Sequence, residues 1–186
     1  MGKRSLQIGI VILMTVLFIP ASALSASAGT PQVNAHLVRQ VRHELAMLPY
    51  YGVFDWLEFE ARPDGAVVLR GYVTRPSTKS EAEARVKEVD GVTNVVNEIQ
   101  VLPLSPQDDR LRVALYRQLY NWDSPLFRYA TQAIPSIHII VDRGRAILKG
   151  IVSSKADAQL AYMRARTVPG LFDVKNELVV EGELPR

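Results

Sequence analysis

Three histidines are the side chains best suited to bond-making in a chain that has no cysteine at all. Without a thiol there is neither a cysteine nucleophile nor a disulfide, so the fold must stand without staples. His36 and His43 are seven positions apart and could share a helix face, but nothing around them has a ligand spacing such as His-Glu-x-x-His. Two solvated histidines are the plainer reading. His138 alternates with Ile137 and Ile139, which puts it on the outer face of a strand. Asp108 and Asp109 read as a helix start favoured by the dipole. No glycine-rich phosphate loop or nucleophile elbow occurs. These residues point to no catalytic set, no metal site and no cofactor.

Aromatic residues offer a different chemistry, that of adhesion. Tyr50, Tyr51, Phe54 and Trp56 crowd one short stretch, and Tyr116, Tyr120, Trp122, Phe127 and Tyr129 crowd another. Rings with one apolar and one polar edge suit a membrane interface or a protein hot spot. They suit equally well the plugging of an open sheet end. Arg117, Arg128, Arg143, Arg145 and Lys149 lie near the second cluster, so a basic and aromatic surface meeting anionic headgroups is one expectation.

The elements that must carry these residues occur twice. Gly71-Tyr-Val-Thr returns 79 residues later as Gly150-Ile-Val-Ser, and Gly91-Val-Thr-Asn-Val-Val-Asn-Glu-Ile-Gln-Val returns as Gly170-Leu-Phe-Asp-Val-Lys-Asn-Glu-Leu-Val-Val. Each copy opens with a helix. From the cap at Asn34, Leu37, Val38, Val41, Leu45 and Leu48 form one face; from Asp108, so do Leu111, Leu115 and Leu119. The helices are offset by 74, so five residues have entered the second copy around Tyr120–Tyr129. Period-two strands follow, with Leu57, Phe59 and Ala61 inward in one copy and Ile137, Ile139 and Val141 in the other. Their offset of 80 implies one extra residue in the first hairpin, Arg62-Pro-Asp-Gly65, against Asp142-Arg-Gly144.

In the returning strands Gly71 and Gly150 suggest a helix packed closely overhead. That second helix runs from about Ser77 to Val89, with Thr78 and Glu81 at capping-box spacing, and from Ser154 to Val168, with Met163 among its packing residues. Gly91 and Gly170 end these helices. Asn97 and Asn176, in the last strands, satisfy turn backbone groups.

The expected fold is α+β: two tandem αββαβ domains, residues 34–101 and 108–181, joined by a linker at 102–107. Each is a three-stranded mixed sheet with both helices on one face. The opposite faces carry Ile140, Ile147 and Ile151 or Val68 and Tyr72, too apolar for solvent, and should dock on the sister domain or a partner.

Residues 1–28 read as an export signal. They hold Lys3 and Arg4, a 14-residue apolar run from Leu6 to Ile19 and a small-residue cut site ending at Ala28. The run is short beside the ~20 residues a spanning helix needs, though an uncleaved anchor is the rival reading. Loss of Lys3 and Arg4 would lower the formal net charge from +3 to about +1, which speaks against nucleic acid as a partner.

The repeated Gly-x-Val, helix, then Val-x-Gly-Val-x-x-Val-x-Asn-x-Ile-x-Val resembles the BON family, the bacterial osmotically inducible and nodulation repeat. The second copy keeps Gly150, Val152, Val168, Gly170, Val174, Asn176, Leu178 and Val180, with Leu171 where the family usually has valine. The resemblance implies a non-catalytic module of the bacterial envelope; with the export signal, the expected location is periplasmic, peripheral to a membrane rather than spanning it. It would contact phospholipid surfaces and be tied to envelope integrity or stress, its glycines and asparagines being structural. The expected surface comprises Tyr120, Trp122, Phe127, Arg128, Tyr129, Tyr50, Tyr51 and Phe54. It would face anionic phospholipid or, alternatively, an envelope protein for which the chain acts as a scaffold, self-association included.

Overall fold

The computed structural model describes residues 34–183, and the expected leader lies outside them. The first domain runs α1 (Ala35–Ala46), β1 (Trp56–Ala61), β2 (Ala66–Val73), α2 (Pro76–Lys87), β3 (Asn94–Asn97) and β4 (Gln100–Val101). The second runs α3 (Pro106–Leu119), a 3-10 helix (Pro125–Ala130), β5 (Ile137–Asp142), β6 (Arg145–Val152), α4 (Lys155–Arg166), β7 (Asp173–Val180) and a final 3-10 turn (Glu181–Glu183). In each, the middle strand pairs antiparallel with the one before it and parallel with the one after the helix. β3 and β4 are successive pieces of one interrupted strand along β2, where β7 runs unbroken.

The apolar stripes explain the helices. Asn34 caps α1 by accepting the His36 N–H at 2.9 Å, and Leu37, Val41 and Leu45 are buried from it. They join Val67, Leu69, Ala82, Val86 and Ile99 in one core. The equivalent Leu111, Leu115 and Leu119 of α3 join Ile137, Ile139, Leu148, Ala161 and Ala165 in another. Two separate cores built from equivalent positions are what a duplicated unit requires.

Hairpin lengths differ by the one residue the offsets demand. Arg62 still pairs with Ala66, leaving three residues in the first turn, whereas Asp142 pairs with Arg145 across only two. Arg143 and Gly144 both have positive φ, 50° and 75°, the turn that matches strand twist.

Several expectations are corrected. α3 starts at Pro106 with Ser105 as its cap, not at Asp108. The Asp108 carboxylate is buried and accepts the N–H groups of Arg143 and Gly144, at 3.0 and 2.8 Å, fastening the hairpin to the helix. Thr78 forms no capping box: α2 begins at Pro76 after an Arg75 that makes no side-chain cap, and Thr78 points into the protein with its hydroxyl unpaired. Met163 is exposed. Gly91 and Gly170 follow helices that have already ended at Lys87 and Arg166, and turn the chain into the next strand.

Gly71 and Gly150 are not roofed by a helix. A Cβ on either would lie 1.9 Å from a carbonyl oxygen of the neighbouring edge segment, Trp56 or Ser136, and φ is +125° and +122°. The close approach is strand to strand.

Candidate functional site

Tracing the aromatic residues upward from their elements splits each cluster in two. The five-residue insertion of the second copy folds into the Pro125–Ala130 turn, capped by Ser124, whose hydroxyl accepts the Leu126 N–H. Leu126 and Tyr129 are buried beneath it. The Tyr129 hydroxyl accepts the Ser153 N–H at 2.9 Å and donates to Asp157 at 3.0 Å. Tyr120 is buried too, donating to the Ile137 carbonyl at 2.6 Å. Burial pushes its phenol well above the usual range.

Tyr120 and Tyr129 are therefore anchors, and the expectation that they line a surface is corrected. What the insertion does present is Trp122, 83% exposed, and Phe127, 42% exposed. Arg128, next to Phe127 in sequence, has a half-exposed side chain tied to Asp157 and Tyr129. Asp157 is buried at the α4 start. Burial raises its pKa, but hydrogen bonds from Ser154 and Tyr129 and the Arg128 charge outweigh that and hold the carboxyl below the usual range.

The basic residues expected around this rim do not all reach it. Arg143 and Arg145 sit at the hairpin end of β5 and β6, whereas the insertion meets the opposite ends of these strands at Ser136 and Ser153. Lys149 lies between the domains, bonded to Glu177 at 2.9 Å and 3.9 Å from Glu58. Exposed Phe172 was missed: it lies over Gly144, in a position where the first copy has Thr93.

In the first copy only Tyr50 is surface-exposed, under the Arg75 guanidinium. Tyr51 and Phe54 belong to the junction of the domains, which corrects their assignment to an outer surface. Phe54 meets Tyr116 edge-on at 6.3 Å, and the Val53 carbonyl accepts the Ile139 N–H at 2.8 Å. Tyr51 stacks on His138 and Trp56 meets it edge-on. His138 is on the outer sheet face as expected, but that face is covered: the ring is 6% exposed and its Nδ1 lies 2.5 Å from the Asp55 carbonyl oxygen. Burial lowers its pKa, and burial pushes Tyr51 up to about 12. Val68 and Ile140, also on the faces away from the helices, are buried, while Ile151 stays 43% exposed.

Asn97 and Asn176 staple the last strand to the second helix. Each donates to a helix carbonyl, Lys79 at 3.0 Å or Ala158 at 3.1 Å, and accepts the N–H two residues on in its own strand. The residues being donated to are themselves 79 apart, so the staple is part of the repeat.

The BON domain model matches residues 57–103 and 120–182, together more than half of the chain. The chain belongs to the BON family. Both matches begin after the first helix, yet α1 and α3 supply Leu37, Val41, Leu111 and Leu115 to the cores, so each BON domain folds as a larger unit than its matched segment. The search of curated proteins returns no match. Two solved structures are similar, both of CdsD, a structural protein of the type III secretion system of Chlamydia trachomatis. One is 14% identical with a TM-score of 0.31 over 81% of this chain and 93% of that one. The other, its C-terminal domain, is 15% identical with a TM-score of 0.30 over 82% and 99%.

BON membership marks the chain as an envelope-associated binding module of a generally non-catalytic kind. Among the described residues no helix is long and apolar enough to cross a membrane, and no three metal-ligating side chains gather.

Proposed function

We propose that this BON protein is a peripheral, periplasmic module that rests on anionic phospholipid through the insertion of its second domain, in the service of envelope integrity. One observation supports this above the rest. Trp122 and Phe127 are held out to solvent by a segment whose other apolar residues, Leu126 and Tyr129, are locked in the core. A Trp beside a Phe, with Arg117 and Arg128 close in sequence, suits the headgroup boundary, where rings enter and guanidinium groups meet phosphate. The first copy lacks the insertion, so the second domain is the one that binds.

Flotation of the mature chain with vesicles tests the reading. Binding is expected to phosphatidylglycerol-containing vesicles, to weaken with salt, and to be nearly absent on phosphatidylcholine alone. Trp122→Ala with Phe127→Ala should lower partitioning about tenfold or more at unchanged helix content, since two rings leave the interface. A chain that never floats, or a double variant that floats as well as the parent, defeats it.

A further inference from the structure

His138 belongs to the second domain, but the rings and the carbonyl set against it belong to the first. It alternates along β5 with Ile137 and Ile139, which face the second core, so its ring lies on the other side of the sheet. Tyr51 stacks on it with ring centroids 5.6 Å apart, Trp56 meets it edge-on at 5.1 Å, and the Asp55 carbonyl lies 2.5 Å from Nδ1. A carbonyl can only accept, so this bond sets the neutral ring's proton on Nδ1. The same junction holds the Ile139 N–H against the Val53 carbonyl and Phe54 against Tyr116.

Charged groups reach this place from both domains. The β5 and β6 register sets Lys149 opposite His138. Lys149 is bonded to Glu177 of β7 at 2.9 Å and lies 3.9 Å from Glu58 of β1, and Glu177 also holds Lys175 at 2.5 Å. From the segment before β1 come the Asp55 carboxylate, turned to Thr74 and Gly52, and the Tyr51 phenol, which burial keeps neutral by raising it to about 12. Lys149 is thus answered by carboxylates. What opposes a proton on His138 is burial, which outweighs the help of the Asp55 and Gly52 carbonyls and of the Asp55 charge. The buried members of each core all come from one domain, so parting the domains would give the ring water and leave both cores shut.

We propose that the junction is an acid-released clasp: a proton on His138 parts the two domains while each keeps its own core. The proton binds the open form more readily than the closed one, and a ligand moves an equilibrium by that difference. Above about pH 6.5 the ring is neutral in both forms and the clasp holds. Below it, the ratio of open to closed rises by up to about tenfold per pH unit, until the closed form titrates as well. Opening uncovers Tyr51, Phe54 and Trp56. It takes nothing from Trp122 or Phe127, so the device does not depend on lipid binding.

The test uses the full mature chain with Trp122→Phe, which leaves Trp56 as its only indole. From about pH 7.5 to 4.5, Trp56 emission and acrylamide quenching report the junction and circular dichroism reports the helices, while amide exchange compares Ile139, bonded across the junction, with Leu148 in the middle of the second sheet. Expected are a red shift and stronger quenching of Trp56, with Ile139 protection falling up to about tenfold per pH unit below 6.5. Helix content and Leu148 protection should hold. His138→Gln, which can still donate to the Asp55 carbonyl, and His138→Phe, which keeps the ring stack, take up no proton and should both remove the pH dependence. Ile139 protection that stays level over this range overturns the proposal. So does a transition in which Trp56, Leu148 and the helix signal change together, or a pH dependence that both variants retain.

Discussion

At the residue scale, the glycines of the central strands show how far a backbone constraint reaches. Gly71 and Gly150 each have positive φ and no room for a Cβ beside the Trp56 or Ser136 carbonyl. Both let the edge strand begin close against the central one, which is also where Trp56 and His138 enter the junction. Replacing either with alanine adds strain and a backbone clash together. Gly71→Ala and Gly150→Ala should each cost roughly 2–3 kcal/mol in urea unfolding. A loss under about 0.5 kcal/mol would mean that the strands simply move apart. The two asparagines are legible in the sequence as structural, because they recur at the same place in both copies. Their partners are not, because the bond to a helix carbonyl depends on how closely strand and helix pack.

At the element scale, the insertion is what makes the copies unequal. It folds because Ser124 caps it and Leu126 is fully buried under it. Leu126→Ala should therefore destabilise the second domain by about 2–5 kcal/mol, the range for emptying a leucine site. It should also blunt vesicle binding without touching an exposed residue, which unfolding and flotation of the same variant would show. If stability falls while flotation is unchanged, the rim does not rely on its anchors.

At the scale of the whole molecule, the junction of the domains holds a titratable group. His138 is buried between Tyr51 and Trp56, with Asp55 supplying its backbone carbonyl; the Asp55 carboxylate is turned to Thr74 and Gly52. Burial depresses the histidine's pKa in the folded state. As pH falls below about 6.5 the unfolded chain takes up the proton first, so stability must decline with acid, by up to about 1.4 kcal/mol per pH unit until the folded value is reached. His138→Gln should remove that slope between pH 6.5 and 5. Urea midpoints across this interval decide it, and an unchanged slope in the variant would place its source elsewhere. The depressed Asp157 carboxyl acts in a separate window: its contribution is present above the usual aspartate value near 4 and lost as pH falls through its lower folded one.

The amino-acid sequence by itself determined the repeat, the α+β order of elements, the strand registers and the extra hairpin residue, because periodicity and residue offsets are local and the copy served as a control. It also determined the family. Which aromatics face outward was decided only by the tertiary structure. Tyr120, Trp122, Phe127 and Tyr129 are alike in composition and differ only in what a short 3-10 turn leaves beneath them. The covering of His138 came from the meeting of the domains. Contacts between residues more than 80 positions apart, such as His138 with Asp55, leave no period or spacing in either partner.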